Sequence, residues 1–182
     1  MIYKIVLLIY SLPFLSASPS LGAGAATLLA SIWGPFFAEV PVSCYAYAPP
    51  CTLTLQSSRA CSSFITSVVC GADVVSRFGL STSVDLRESL LALRARRVEG
   101  REGKGDLNME WLREVMTNGG PNLFPGGRVM WLDTESGGEN RGGAKIFEAD
   151  NGIFDFIAIL PGMYKSHMPQ FYLKEVEKLT PT

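Results

Sequence analysis

Between Lys4 and Glu39 the chain carries no charged residue, and that stretch restricts what its N-terminal part can become. A long uncharged segment must enter a core, lie in lipid or be removed, because exposed apolar surface costs about 25 cal/mol per Å². Lys4, the apolar run 5–10 that resumes through Leu15, and the small residues Ser16, Ala17 and Ser18 have the layout of a signal peptide. A membrane span needs about 20 apolar residues, and here Pro13, Pro19, Gly22, Gly24 and Pro35 interrupt the run. Residues 21–34, rich in Ala and Leu and without a polar face, predict a buried helix. Residues 10–20 are dominated by Leu, Ser, Pro and Phe, whose codons are pyrimidine-rich like the tract before a splice acceptor. The division that follows sets residues 1–19 apart as a signal- or anchor-like segment, or as read-through that does not belong to the fold, and takes 20–182 as the folded unit. A membrane-associated location is the matching expectation.

The rest of the composition fits one buried core. Of 182 residues 47% are hydrophobic and 18% charged, which is unlike a disordered chain. A net charge of -1 leaves no electrostatic footprint for nucleic acid, and the short basic cluster Arg94, Arg96 and Arg97 reads as a solvated helix end. The four cysteines, Cys44, Cys51, Cys61 and Cys70, lack CxxC spacing and a neighbouring histidine, so they read as buried thiols rather than zinc ligands. No metal or cofactor is called for.

Strand and helix signals alternate along the chain. Residues 40–47 and 64–69 are β-branched and aromatic runs closed by Pro49 and Gly71. Leu86, Leu90, Leu91 and Leu93 fall at helical spacing and predict an amphipathic helix over 84–97. A charged, glycine-rich loop over 98–106 and a helix near 108–117 follow, then strands over 127–132 and 154–160 separated by a polar insert at 133–143, and a terminal helix over 168–178. This order predicts an α/β fold with a mostly parallel sheet.

Ser20-Leu21-Gly22-Ala23-Gly24 has what a nucleophile needs at a tight strand-to-helix turn: small residues, and a helix start that offers the Leu21 backbone N–H to a developing oxyanion. Ser20 could equally cap the helix. The only histidine, His167, lies in the loop 161–169, and Asp73 follows the Gly71 turn, where it could cap that turn or reach an imidazole. Ser20, Asp73 and His167 stand in the chain order Ser, Asp, His of one class of hydrolases.

These residues resemble the class 3 (fungal-type) lipases, most closely the sn-1-specific diacylglycerol lipases. Ser20 to Gly24 is similar to the family's Gly-His-Ser-Leu-Gly-Gly/Ala-Gly elbow, and Cys44-Tyr45-Ala46-Tyr47-Ala48-Pro49-Pro50 to the strand after it. Asp73-Val74-Val75-Ser76-Arg77 resembles Asp-Leu/Val-Val-Pro-Arg, Leu123 to Val129 resembles Leu-Tyr-Pro-Pro-Gly-Arg, and Met163 to Pro169 resembles Met-Leu-x-Asp-His-x-Pro. The resemblance implies a partial α/β-hydrolase fold whose N-terminal strands are missing, with 20–182 as the C-terminal part of a lipase catalytic domain. It implies a catalytic triad of Ser20, Asp73 and His167 with Leu21 as an oxyanion donor, and a diacylglycerol or related glycerolipid substrate at a membrane surface. The alternative is a truncated, non-catalytic module that binds lipid or a partner. The chain departs from the family where Ser18-Pro19 replaces Gly-His, so the full GxSxG pattern is absent, and a proline there would remove a donor from a central strand.

Overall fold

The computed structural model describes residues 14–36, 41–98, 120–134 and 145–179. Their strands form one five-stranded sheet in chain order: β1 (Phe14–Pro19), β2 (Val42–Tyr47), β3 (Ile65–Cys70), β4 (Arg128–Asp133) and β5 (Lys145–Ala149). β1 to β4 run parallel, and β5 closes one edge antiparallel to β4. This is the expected α/β class with a mostly parallel sheet, compatible with part of a hydrolase fold. The predicted helix at 108–117 and most of the loop at 98–106 lie outside the described residues.

The boundary drawn after residue 19 falls at the junction of β1 and α1 (Ser20–Phe36). Phe14–Pro19 pair in register with Val42–Tyr47, so the sheet takes in the last six residues of the segment set apart, while residues 1–13 lie outside the described ones. The proline problem is relieved by position. Pro19 is the last residue of β1, which pairs with β2 alone among the described strands, so a missing N–H there interrupts no central ladder.

Helix α1 crosses from β1 to β2 with Ala23, Gly24, Ala26, Thr27 and Ala30 turned inward. These small side chains let it lie close to the sheet, where Ala23, Ala26 and Ala30 pack with Val42, Cys44, Ala46, Leu53 and Ile65. The helix is not buried all round as its composition predicts, for Leu28, Leu29, Ile32 and Phe36 on its other side are exposed. No helix among the described residues is long and apolar enough to cross a membrane.

The opposite side of the sheet is covered by the terminal helix α5 (Pro169–Glu177), whose Tyr172 packs with Ala48, Val68, Cys70 and Leu132. Period-two alternation divides β3 accordingly, with Ile65 in the α1 core and Val68 and Cys70 facing α5. Two further helices are α2 (Leu55–Ala60), capped by Thr54 Oγ1 accepting from the Ser57 N–H at 3.2 Å, and α3 (Leu80–Val98). α3 occupies the expected span but buries Ser81, Thr82, Asp85 and Ser89 rather than its leucines, and Leu90 and Leu91 are exposed. Two of these hydroxyls are satisfied locally, Thr82 on the Arg77 carbonyl at 2.9 Å and Ser89 on the Asp85 carbonyl at 2.7 Å.

The strand expected over 154–160 is absent. A 3₁₀ turn (Asn151–Phe154) and extended chain stand there, leading into the short helix α4 (Met163–Ser166). The last strand among the described residues is β5, just after the polar insert. All four cysteines are free and buried, and burial pushes the thiols of Cys51 and Cys70 up to about 12.

Gly127, just before β4, has φ +72, and a Cβ there would lie 2.2 Å from the Ile65 carbonyl oxygen. Gly120 has φ +85 with nothing within 4 Å of the same point. Gly127→Ala should therefore lose about 2–5 kcal/mol in chemical denaturation, against about 1 kcal/mol for Gly120→Ala. Equal losses would mean that backbone approach at β3 is not what requires glycine.

Candidate active site

The parallel strands β1 to β3 end on one edge of the sheet, and the chain's chemistry gathers there. At the β1–α1 junction Ser20 is forced to φ 54, and Ala48, just past β2, has φ 51; they are the non-glycine residues with positive φ among those described. Left-handed backbone costs an L-residue about 1–2 kcal/mol, so such positions persist only where the surroundings impose them. One turn along, a Cβ on Gly24 would come within 2.8 Å of the Pro50 ring, so glycine is what lets the helix start press against the loop after β2.

Ser20 Oγ lies 3.0 Å from His167 Nε2, across 147 positions of sequence. His167 sits at the junction of α4 and α5. Its backbone N–H bonds to the Tyr164 carbonyl at 3.2 Å, and two residues later Pro169 starts α5 with a backbone angle already suited to a helix, so the ring is held from both sides.

On its other edge His167 Nδ1 lies 3.1 and 3.2 Å from the two carboxylate oxygens of Asp73. Asp73 is 1% exposed, so its oxygens must be satisfied by protein. Oδ1 also accepts from the Val75 N–H at 2.8 Å, and Oδ2 from the Tyr172 hydroxyl at 2.7 Å. The turn-capping and imidazole-facing readings of Asp73 thus hold together. A carboxylate only accepts, so Nδ1 carries the imidazole proton and Nε2 is left to accept from the Ser20 hydroxyl.

The 3₁₀ turn after Asp73 (Val75–Arg77) is anchored by Arg77. Its guanidinium donates to the Ile153 carbonyl at 2.7 Å and lies 5.0 Å from the Phe154 ring centre and 5.3 Å from that of Phe156. Burial lowers its pKa, the nearby Cys51 and Asp155 acting the other way.

Beside Ser20 a hollow of about 440 Å³ is lined mainly by apolar groups, among them Tyr47, Ala48, Leu173 and Val176, with His167 at its edge. Leu21 follows Ser20 in the first turn of α1, where backbone N–H groups have no partner within the helix. The structure therefore brings Ser20, Asp73 and His167 into one hydrogen-bonded line and puts the Leu21 N–H next to it in the chain. A hydroxyl on an imidazole that leans on a buried carboxylate is an arrangement that can activate an oxygen nucleophile. Sequence reading missed Tyr172 and the anchoring role of Arg77. For Tyr172 the available signal was a phenol inside the apolar stripe of a helix five residues after the only histidine.

The chain is similar to diacylglycerol lipase-alpha of Homo sapiens, 25% identical over an alignment of 193 positions that covers 88% of this chain and 18% of the human protein. The diacylglycerol lipase-alpha proteins of Rattus norvegicus and Mus musculus are each 40% identical over 73 residues, 40% of this chain and 7% of theirs. The chain thus spans less than a fifth of the length of the human relative. No protein-family model matches it, and no solved structure does. The similarity is distant and supports a lipase-like relationship.

Strain at Ser20 has a measurable sign. At an ordinary helical position alanine is more stable than glycine by about 1 kcal/mol. At φ 54 the order should reverse, with Ser20→Gly more stable than Ser20→Ala by about 1 kcal/mol in urea or thermal unfolding. Alanine the more stable of the two would show that Ser20 is not held in the left-handed region.

Proposed function

We propose that this chain is a serine hydrolase of the lipase type, cleaving the acyl esters of diacylglycerol or a related glycerolipid. The observation that carries the reading is the unbroken line from Ser20 Oγ through the His167 ring to the buried Asp73 carboxylate. The local similarity to diacylglycerol lipase-alpha supports the choice of a glycerolipid ester among possible acyl substrates.

On this reading Ser20 Oγ attacks the ester carbonyl while His167 Nε2 takes its proton. The imidazolium, oriented and stabilised by Asp73, returns that proton to the departing alcohol. The Leu21 N–H at the start of α1 faces the developing oxyanion, favoured further by the positive end of the helix dipole. Water then attacks the acyl-enzyme with His167 again as base, releasing the fatty acid and restoring the serine. The apolar hollow between Ala48 and Val176 gives the acyl chain a dry place next to the reacting carbon. Because Nε2 must be free to accept a proton, hydrolysis falls as acidification protonates the ring.

The test is release of fatty acid from a dispersed diacylglycerol by the full chain. Ser20→Ala and His167→Ala should each lower the rate at least about 1,000-fold. A rate unchanged in Ser20→Ala would overturn the nucleophile, and binding of the lipid with no release by the unaltered chain would favour the non-catalytic alternative.

A further inference from the structure

Tyr172 is the buried polar side chain of this site that no step of the proposed reaction uses. Its ring packs on the β2–β4 face of the sheet with Ala48, Val68, Cys70 and Leu132, and the residue is 6% exposed. Its hydroxyl accepts from the Cys70 backbone N–H at 3.0 Å and donates to Asp73 Oδ2 at 2.7 Å. A phenol has one proton. With the end of β3 donating to its oxygen, that proton goes to the carboxylate. Burial, then the charge of Asp73, raises the Tyr172 pKa well above that of a free phenol, so the group stays a donor throughout the working pH range.

Resting on the serine-hydrolase reading, we propose that Tyr172 is a positioning residue for the reaction: its hydroxyl fixes the plane of the Asp73 carboxylate and takes up part of its charge, setting how strongly that carboxylate holds a proton on His167. Val75 N–H occupies Oδ1 and Tyr172 occupies Oδ2, so the remaining direction open to both oxygens is the one in which His167 Nδ1 sits, nearly equidistant from them. The donors come from different elements, the turn after β3 and helix α5, so the carboxylate cannot rotate without breaking a hydrogen bond on one side or the other. The helix that follows His167 thereby also aligns the acid that orients it.

Other charged or titratable groups around this contact add little to its pH response. Cys70 on β3 is a buried thiol pushed up to about 12 and neutral at working pH. Glu175, buried on α5, is held by Lys178 Nζ at 2.7 and 2.8 Å. Removing the Tyr172 hydroxyl leaves more of the Asp73 charge for the imidazolium, which is stabilised over neutral imidazole. The protonated base then survives to higher pH, and the acid limb of the rate profile moves up.

The experiment compares Tyr172→Phe with the unaltered chain in the pH dependence of kcat/KM for ester hydrolysis, and in the NMR titration of the one histidine, which reads the same coupling without turnover. The expected result is an acid limb and an imidazole midpoint both moved up by about 0.5–1 pH unit, with kcat lower about 10-fold and KM changed less than about 2-fold. Site-specific 3-fluorotyrosine at position 172 keeps the ring's shape, tolerates a site where Tyr172→Phe fails to fold, and makes the donor stronger. It should move both midpoints down. Midpoints unmoved in both proteins would overturn the proposal, including the case where activity falls only in proportion to the unfolded fraction. Absence of Ser20-dependent hydrolysis in the unaltered chain would instead fail the serine-hydrolase reading, while the NMR titration would still decide whether Tyr172 tunes His167.

Discussion

A carboxylate with almost no exposure to water is the constraint around which this end of the molecule is arranged. An unsatisfied charge in the interior costs several kcal/mol, so Asp73 needs partners from whatever packs around it. It finds them in the Val75 N–H, the Tyr172 hydroxyl and the His167 ring. Each partner ties a different part of the fold to the end of β3. Val75 belongs to a turn pinned by Arg77 against the 151–156 segment, and Tyr172 belongs to a helix that covers the sheet. Loss of the carboxylate would therefore loosen three packed elements together.

Against this fixed carboxylate and imidazole, the serine is brought up by backbone strain. The parallel strand β1 must turn at once into a helix that lies back over the sheet, and the small residues of α1 let it approach closely enough that Gly24 touches Pro50. The cost is concentrated at Ser20, with its positive φ, which aims the hydroxyl at His167. Ala48, strained in the same sense at the end of the next strand, lines the same hollow. Strain at adjacent strand ends around one cavity fits an arrangement in which precision of placement outweighs local stability.

Much of this was legible in the chain itself. The order of strands and helices predicted the class of sheet, and Ser20, Asp73 and His167, singled out by their chain order and by the resemblance to class 3 lipase segments, do meet in one hydrogen-bonded line. Where reading failed, local chemistry was outweighed by tertiary placement. Residues 154–160 have strand composition, but Phe154 and Ile157 are buried while Ile159 and Leu160 are exposed, and the segment pairs with no described strand. β5 was hidden because an exposed edge strand beside a polar insert carries little hydrophobic alternation. The α3 leucines pointed to the wrong face, since Thr82 and Ser89 bond to nearby carbonyls and so can be buried on the helix's small polar side. Tyr172 could not be assigned from sequence because its role depends on a hydroxyl meeting a residue 99 positions away.

The central claim is that Ser20 is made nucleophilic by His167, and covalent labelling reads it directly. The full chain would be treated with a fluorophosphonate, digested, and the modified peptide located by mass spectrometry, beside the same treatment of His167→Ala. The account predicts one adduct, on Ser20, formed at least about 100-fold more slowly when the imidazole is removed. An adduct on another residue, or on Ser20 at an unchanged rate without His167, would contradict it.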